Sequence, residues 1–195
     1  MSSEVKDTKT RILEAAWLLM EERRSQDVSM SSIAKAAGIS RQAVYLHFAS
    51  RTELMIATMH YVDEVKGLNE RLAKFREATT GIGQLNACVE IWGNYIPEIY
   101  GLAKALLRAR DTDEAMAAAW NESMNCLRDI CQEIIGTLEL EGLLATEWSS
   151  EEATDMLWTM ISISHWEHLT IECGWSTPQY IESMKALLKR SFITQ

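Results

Sequence analysis

Apolar residues recur at helical spacing along nearly the whole chain, and nowhere do they alternate over the length of a strand. Ile12, Ala15, Ala16 and Leu19 predict a first helix over about Thr8–Arg24, with Asp7 or Thr8 as its cap. Two short helices follow, about Ser31–Ala37 and Arg41–Phe48, on either side of Gly38-Ile39-Ser40. Ser29 or Ser31 can cap the former and Ser40 the latter. Leu54, Tyr61, Leu68 and Phe75 then repeat every seven residues, with Val65 and Leu72 between them. That stripe predicts one helix from Ser50 or Arg51 to Phe75, about 35 Å long at 1.5 Å per residue, with Gly67 as a soft point.

Thr79 to Gly83 is the clearest break, followed by helices over Ile82–Tyr95 and Pro97–Arg108, the second opening on its proline. Asp111 with Glu114 three residues on reads as the start of a helix that runs to Glu141 and stops at Gly142. Ser149 with Glu152 repeats the pattern and opens a helix to about Cys173, before Gly174. Thr177-Pro178 begins the last one, ending near Phe192. The expectation is an all-α fold of about nine helices, with no internal repeat.

Composition narrows this further. At 195 residues the chain can bury a substantial core, and only two prolines interrupt its helix formers. Its apolar runs are short and broken by charge, so no membrane association is expected. Met1 to Thr10 is polar and lacks the apolar core of a secretion signal, so the expected location is cytoplasmic. Cys88, Cys126, Cys131 and Cys173 form no CxxC pair and read as free, mostly buried thiols. The net charge is −9, unevenly spread: residues 1–60 balance near +1 and the remainder carries −10.

That imbalance matters because the mildly basic part holds a candidate helix-turn-helix. Ala34, four residues before Gly38, is small enough for two helices to cross closely, and Gly38 supplies the backbone angles of a tight turn. Ile33, Ala37, Ile39 and Val44 form the apolar wedge behind it, leaving Arg41, Gln42 and Tyr45 on the outer side of the second helix. Arg and Gln can bond base edges in pairs, while hydroxyls and cations suit phosphate. An ordinary helical hairpin would account for the small and apolar positions equally well. Attraction to phosphate is local, since charges beyond roughly 8–10 Å are largely screened, so an acidic body elsewhere is compatible with DNA binding.

The string Ala43-Val44-Tyr45-Leu46-His47-Phe48, followed by Ser50-Arg51-Thr52-Glu53-Leu54, resembles the DNA-binding signature of the tetracycline-repressor (TetR) family of transcriptional regulators. The resemblance covers about residues 8–60 and is architectural beyond. It implies a DNA-binding domain over 1–53 and a helical ligand-binding and dimerisation domain over 54–195, with the fourth helix as lever. It also implies a ligand-responsive repressor that binds a palindromic operator on double-stranded DNA as a dimer. Arg41 and Gln42 are expected on base edges, with Ala43 against a thymine methyl. Ser29, Ser31, Ser40, Tyr45, His47 and Arg51 are expected on phosphates, with Lys35 on a flanking one. Lys6, Lys9 and Arg11 are further candidates for the DNA backbone.

Six of the seven tryptophans lie beyond this segment, accompanied by tyrosine and methionine. Core packing explains most such residues. An apolar cavity for a small apolar or aromatic ligand is the sharper reading, with Trp92, Tyr95, Trp120, Met124 and Trp158 as its candidates. The resemblance implies a homodimer through the last two helices. Leu157, Met160, Ile161, Ser164, His168 and Ile171 would form one face, and Ile181, Met184, Leu187 and Leu188 the other, although both could pack inside one subunit. His165, His168 and Cys173 are too few for a zinc site without a clear fourth ligand, so neither metal nor cofactor is expected. The chain carries no phosphate-binding glycine loop, HExxH or GxSxG, and no enzyme activity is expected. The alternative is a helical small-molecule-binding protein or enzyme without operator binding.

Overall fold

The computed structural model describes residues 7–23 and 28–194; Lys6 and the expected helix end at Arg24 lie outside the described residues. The helices run α1 (Thr8–Arg23), α2 (Met30–Ala37), α3 (Arg41–His47), α4 (Arg51–Val65), α5 (Leu68–Glu77), α6 (Gly81–Arg110), α7 (Glu114–Leu140), α8 (Ser150–Met160), α9 (Ile163–Glu167) and α10 (Thr177–Phe192). A π-helical turn, His168–Glu172, continues α9. Among the described residues no strand forms; Leu144 and Ile193 make one isolated antiparallel bridge. The all-α expectation holds.

Four expectations about the elements need correction. The fourth helix is two: Gly67 takes a left-handed φ of +63°, which ends α4 and starts α5. Its seven-residue stripe is buried only at its two ends, Leu54 and Phe75. Leu54, Met55, Thr58, Met59 and Val62 are buried in α4, whereas Val65 is 52 % exposed. The helices expected on either side of Pro97 are one thirty-residue helix, α6. A proline there removes one ladder bond, and helix already propagated on both sides bridges the gap. The helix expected from Ser150 to Cys173 stops at Met160, because Ser162 turns out of the helix and its hydroxyl accepts from His165 N to start α9. Finally, Asp113 rather than Asp111 caps α7, with Oδ1 accepting from Met116 N at 3.0 Å.

The other caps follow the sequence. Ser149 and Glu152 complete a capping box on α8, Ser176 caps α10 with a proline in its first turn, and Gly142 follows α7 with φ +69°.

The chain divides into two compact units. The first comprises the chain up to Lys66 together with Ile99–Asn121. In it α1 packs against α2 and α4, and α2 against α3. Ile12, Ala16, Met20, Ile33, Ala34, Val44, Phe48, Leu54, Leu102, Leu106 and Met116 are among its buried side chains. The second comprises Gly67–Glu98 and the chain from Glu122 onward. Its buried residues include Leu85, Cys88, Tyr95, Cys131, Ile134, Leu157, Trp166, Tyr180, Met184 and Phe192. A Cβ on Gly93 would meet the Ile181 side chain at 2.5 Å, so glycine lets α10 lie directly against α6 there. No helix among the described residues is long and apolar enough to cross a membrane.

Candidate nucleic-acid interface

The helix-turn-helix is fixed by local chemistry at both ends of its turn. Ser29 caps α2: its Oγ accepts from Ser32 N, and Ser32 Oγ accepts from Ser29 N, each at 3.1 Å. At the other end Gly38 adopts φ +68°, letting its own N–H reach Lys35 O and Ile39 N–H reach Ala34 O. Ser40 then caps α3, its Oγ accepting from Ala43 N at 3.1 Å. Ile33, Ala34, Ala37 and Val44 are buried and Ile39 half-buried, so the wedge lies where the spacing predicted.

On α3 only Val44 is buried. Arg41, Gln42, Tyr45, Leu46 and His47 are exposed, and Ala43 is half-buried. Arg41 is pre-arranged: its guanidinium carbon lies 5.5 Å from the Tyr45 ring centroid and Nη2 donates to the Tyr45 hydroxyl at 3.3 Å. Ser29, Ser31, Lys35 and Ser40 are also exposed. The start of α1 closes on the end of α3, with Lys9 Nζ 5.9 Å from the Phe48 ring centroid. Asp7 caps α1 through Thr10 N at 2.8 Å. That bond holds its carboxyl below the usual range, with a smaller contribution from His47.

Two basic residues have internal work that spacing did not reveal. Arg11 Nη2 donates to the Ala37 carbonyl at the end of α2. Arg51 Nε donates to Val28 O at 2.9 Å, tying the start of α4 to the segment before α2. Leu46 is 83 % exposed on α3. The helical spacing carried its signal, since Leu46 stands between two exposed positions and two residues beyond buried Val44.

The ligand candidates fall in both units. Trp120 belongs to the first unit, and Trp92, Tyr95, Met124 and Trp158 to the second. Trp92, Met124 and Trp158 are half-buried, while Tyr95 and Trp120 are buried. Tyr95 already has a cation over it: Arg71 lies 5.3 Å from its centroid and pairs with Glu98 at 2.7 Å. A groove of about 470 Å³ in the second unit is lined by Arg128, Gln132, Gly136, Glu139, Ser150, Glu151 and Thr154, none of them a candidate. On the two expected dimer faces, Leu157, Ile161, Ile181, Met184 and Leu188 are buried within the chain, while Ser164, His168, Ile171 and Leu187 are exposed.

The thiols divide evenly, which corrects the expectation that most are buried: Cys88 and Cys131 are buried, Cys126 and Cys173 exposed. His168 Nδ1 lies 3.0 Å from Glu172 Oε2, and among the described residues no cluster of three metal-ligating side chains forms.

Comparison with known proteins agrees with this geometry. Residues 12–58 match the family model of bacterial regulatory proteins, tetR family. The HTH-type transcriptional regulator CymR of Pseudomonas putida is 25 % identical over 160 residues, 80 % of this chain and 75 % of that protein. UidR of Escherichia coli K12, also an HTH-type transcriptional regulator, is 33 % identical over 101 residues, 52 % of this chain and 49 % of its own. Among solved structures, a transcriptional regulator from Saccharomonospora viridis in complex with choline superposes with a TM-score of 0.82 at 16 % identity, covering 96 % of this chain and 98 % of that one. FadR of Bacillus subtilis in complex with stearoyl-CoA gives 0.74 at 19 %, covering 93 % and 98 %. At such identities the structural likeness is one of fold, and it extends over nearly the whole chain. With the helix-turn-helix built on Gly38 and the family match across it, residues 12–58 form a helix-turn-helix segment of the tetR family of bacterial regulatory proteins.

Proposed function

We propose that the protein is a homodimeric repressor that binds a palindromic operator and is released by a small molecule held by the helical part of the chain over 54–195. The observation that carries this reading is the outer face of α3, where one buried side chain anchors a helix presenting Arg41, Gln42, Tyr45 and His47 outward. Arg41 and Gln42 read base edges in the major groove, and Ala43 lies against a thymine methyl. Ser29, Ser31, Ser40, Tyr45 and His47 bond phosphates, Lys35 a flanking one. Arg51 joins them from its anchorage on Val28.

Pairing through the last two helices gives the two-fold symmetry a palindrome requires. Exposed Ile171 and Leu187 support it. Two proteins of the same fold were solved with choline and with stearoyl-CoA, which supports a ligand for this chain too. We assign a small apolar or aromatic compound first to Trp92, Met124 and Trp158, whose half-buried side chains keep accessible surface, and then to Tyr95 and Trp120. Ligand and operator favour different spacings of the two reading heads, so each weakens the other's binding by the same free energy. The regulator acts in the cytoplasm, where its DNA is, and has no catalytic role.

Selection of bound duplexes from random DNA, followed by footprinting, tests the reading. A protected palindrome is expected. Arg41→Ala weakens its binding by about 1–3 kcal/mol and relaxes base preference, the cost of one paired base contact. Affinities of that variant for selected and for scrambled duplexes that are each unchanged from the wild type refute the assignment.

A further inference from the structure

Glu21, near the end of α1, makes an unusual pair of bonds. Its carboxylate accepts from two consecutive backbone N–H groups inside α6, Oε2 from Gly101 at 3.0 Å and Oε1 from Leu102 at 3.1 Å. Within a helix such N–H groups ordinarily serve the carbonyls four residues back, so the carboxylate competes with the helix for them. The approach is close: a Cβ on Gly101 would lie 2.5 Å from Glu21 Cα and 2.9 Å from Met20 O. Those are backbone atoms, which cannot rotate away. Gly101 and Leu102 are buried, and Glu21 is half-buried. A second attachment lies at the start of α4, where the Thr52 hydroxyl donates to Asp113 beside the first turn of α7. Both lie within the first unit.

We propose that Glu21 is a positioning residue for operator binding. By holding the Gly101 and Leu102 amides it fixes α1, and through α1 the helices packed on it, to the segment Ile99–Asn121. The reading head so defined is larger than the helix-turn-helix: it carries part of α6 and the start of α7 as one body. A change in α6 that draws those two amides away from Glu21 releases α1. This rests on the proposed operator binding and adds the route by which α6 governs it.

The test uses the full chain and a duplex selected by the wild type. Glu21→Gln keeps the shape of the side chain but offers an acceptor to one amide and an opposing N–H to the other. Removal of an acidic charge by itself strengthens attraction to phosphate, so electrostatics alone predicts tighter binding. Positioning predicts the reverse: binding about tenfold weaker, the scale of one lost charge-assisted bond, with an unchanged salt slope. Glu22→Gln is the control, removing the same charge from an exposed neighbour; it binds as the wild type or slightly tighter. Affinities are referred to the active fraction from stoichiometric titration, so a mere loss of folded protein leaves them unmoved. In parallel, the Gly101 and Leu102 amide proton resonances lie downfield in the wild type, as bonds to a carboxylate require, and at least one of them moves upfield in Glu21→Gln. Binding by Glu21→Gln at or above wild-type strength overturns the proposal, as do amide resonances at the same positions in both proteins. Failure of the wild type to select any duplex overturns the proposed function instead, while the resonance experiment still decides whether the clasp forms.

Discussion

Gly38→Ala is the sharpest single test of how the turn between α2 and α3 is built. The glycine sits at φ +68°, ψ 36°, and both N–H groups that close the end of α2 depend on that conformation. An L-residue there pays about 1–2 kcal/mol for crowding its Cβ against the following carbonyl. Restricting the unfolded chain returns about 0.4–1 kcal/mol. Steric collision adds little, because the nearest atom to the new Cβ is Arg11 Nη2 at 3.4 Å, the far end of a flexible side chain. A net loss of about 1 kcal/mol remains, which lowers the melting temperature by about 2–4 °C in a chain of this size. Gly38→Asn, whose side chain tolerates the left-handed region, should fall between wild type and alanine. Urea and thermal unfolding of the three proteins measure the order. A loss above about 3 kcal/mol would implicate the Arg11 clamp on Ala37 instead of backbone strain, and an asparagine variant weaker than alanine would refute the argument.

A maleimide under native conditions should modify Cys126 and Cys173 and spare Cys88 and Cys131. Burial pushes the Cys88 thiol up to about 12 and raises that of Cys131 as well. Equal labelling of all four in the native protein would contradict the packing of α6 and α7. His165 is held below its ordinary value of 6.5, first by burial and then by neighbouring His168. Between the lowered value and 6.5 the unfolded chain binds more protons than the folded one. The contribution of His165 is therefore complete above about pH 6.5 and is lost as pH falls through its lower folded value. Melting temperatures should decline over that interval, and His165→Gln should flatten the decline; an unaltered slope would remove His165 as its source.

What could be read from the sequence was whatever is decided within a few residues. Ser149 with Glu152, the Ser176 cap and Gly142 announce helix ends because the bonds they make are local, and so do Gly38 and Ser40. The recognition helix was legible for the same reason. Where context decides, spacing misled. Pro97 looked like a start, but the helix on either side outweighs one missing bond. The stripe from Leu54 to Phe75 looked continuous, yet the positive φ of Gly67 ends the helix and leaves Val65 exposed. Partners far apart in sequence were invisible: nothing near Arg11 points to Ala37, nor near Glu21 to Gly101. Spacing singles out ligand candidates least, since aromatic residues fill cores and line cavities alike.

The break at Gly67 also sets a mechanical scale. The fifteen residues of α4 make a rod of about 22 Å, not the 35 Å of an unbroken helix to Phe75. A tenth of a radian of tilt carries the tip of such a rod about 2 Å, whereas the longer one would travel about 3.5 Å. Stiffness gained by brevity is exchanged for reach, so equal travel at the tip demands a proportionally wider angle.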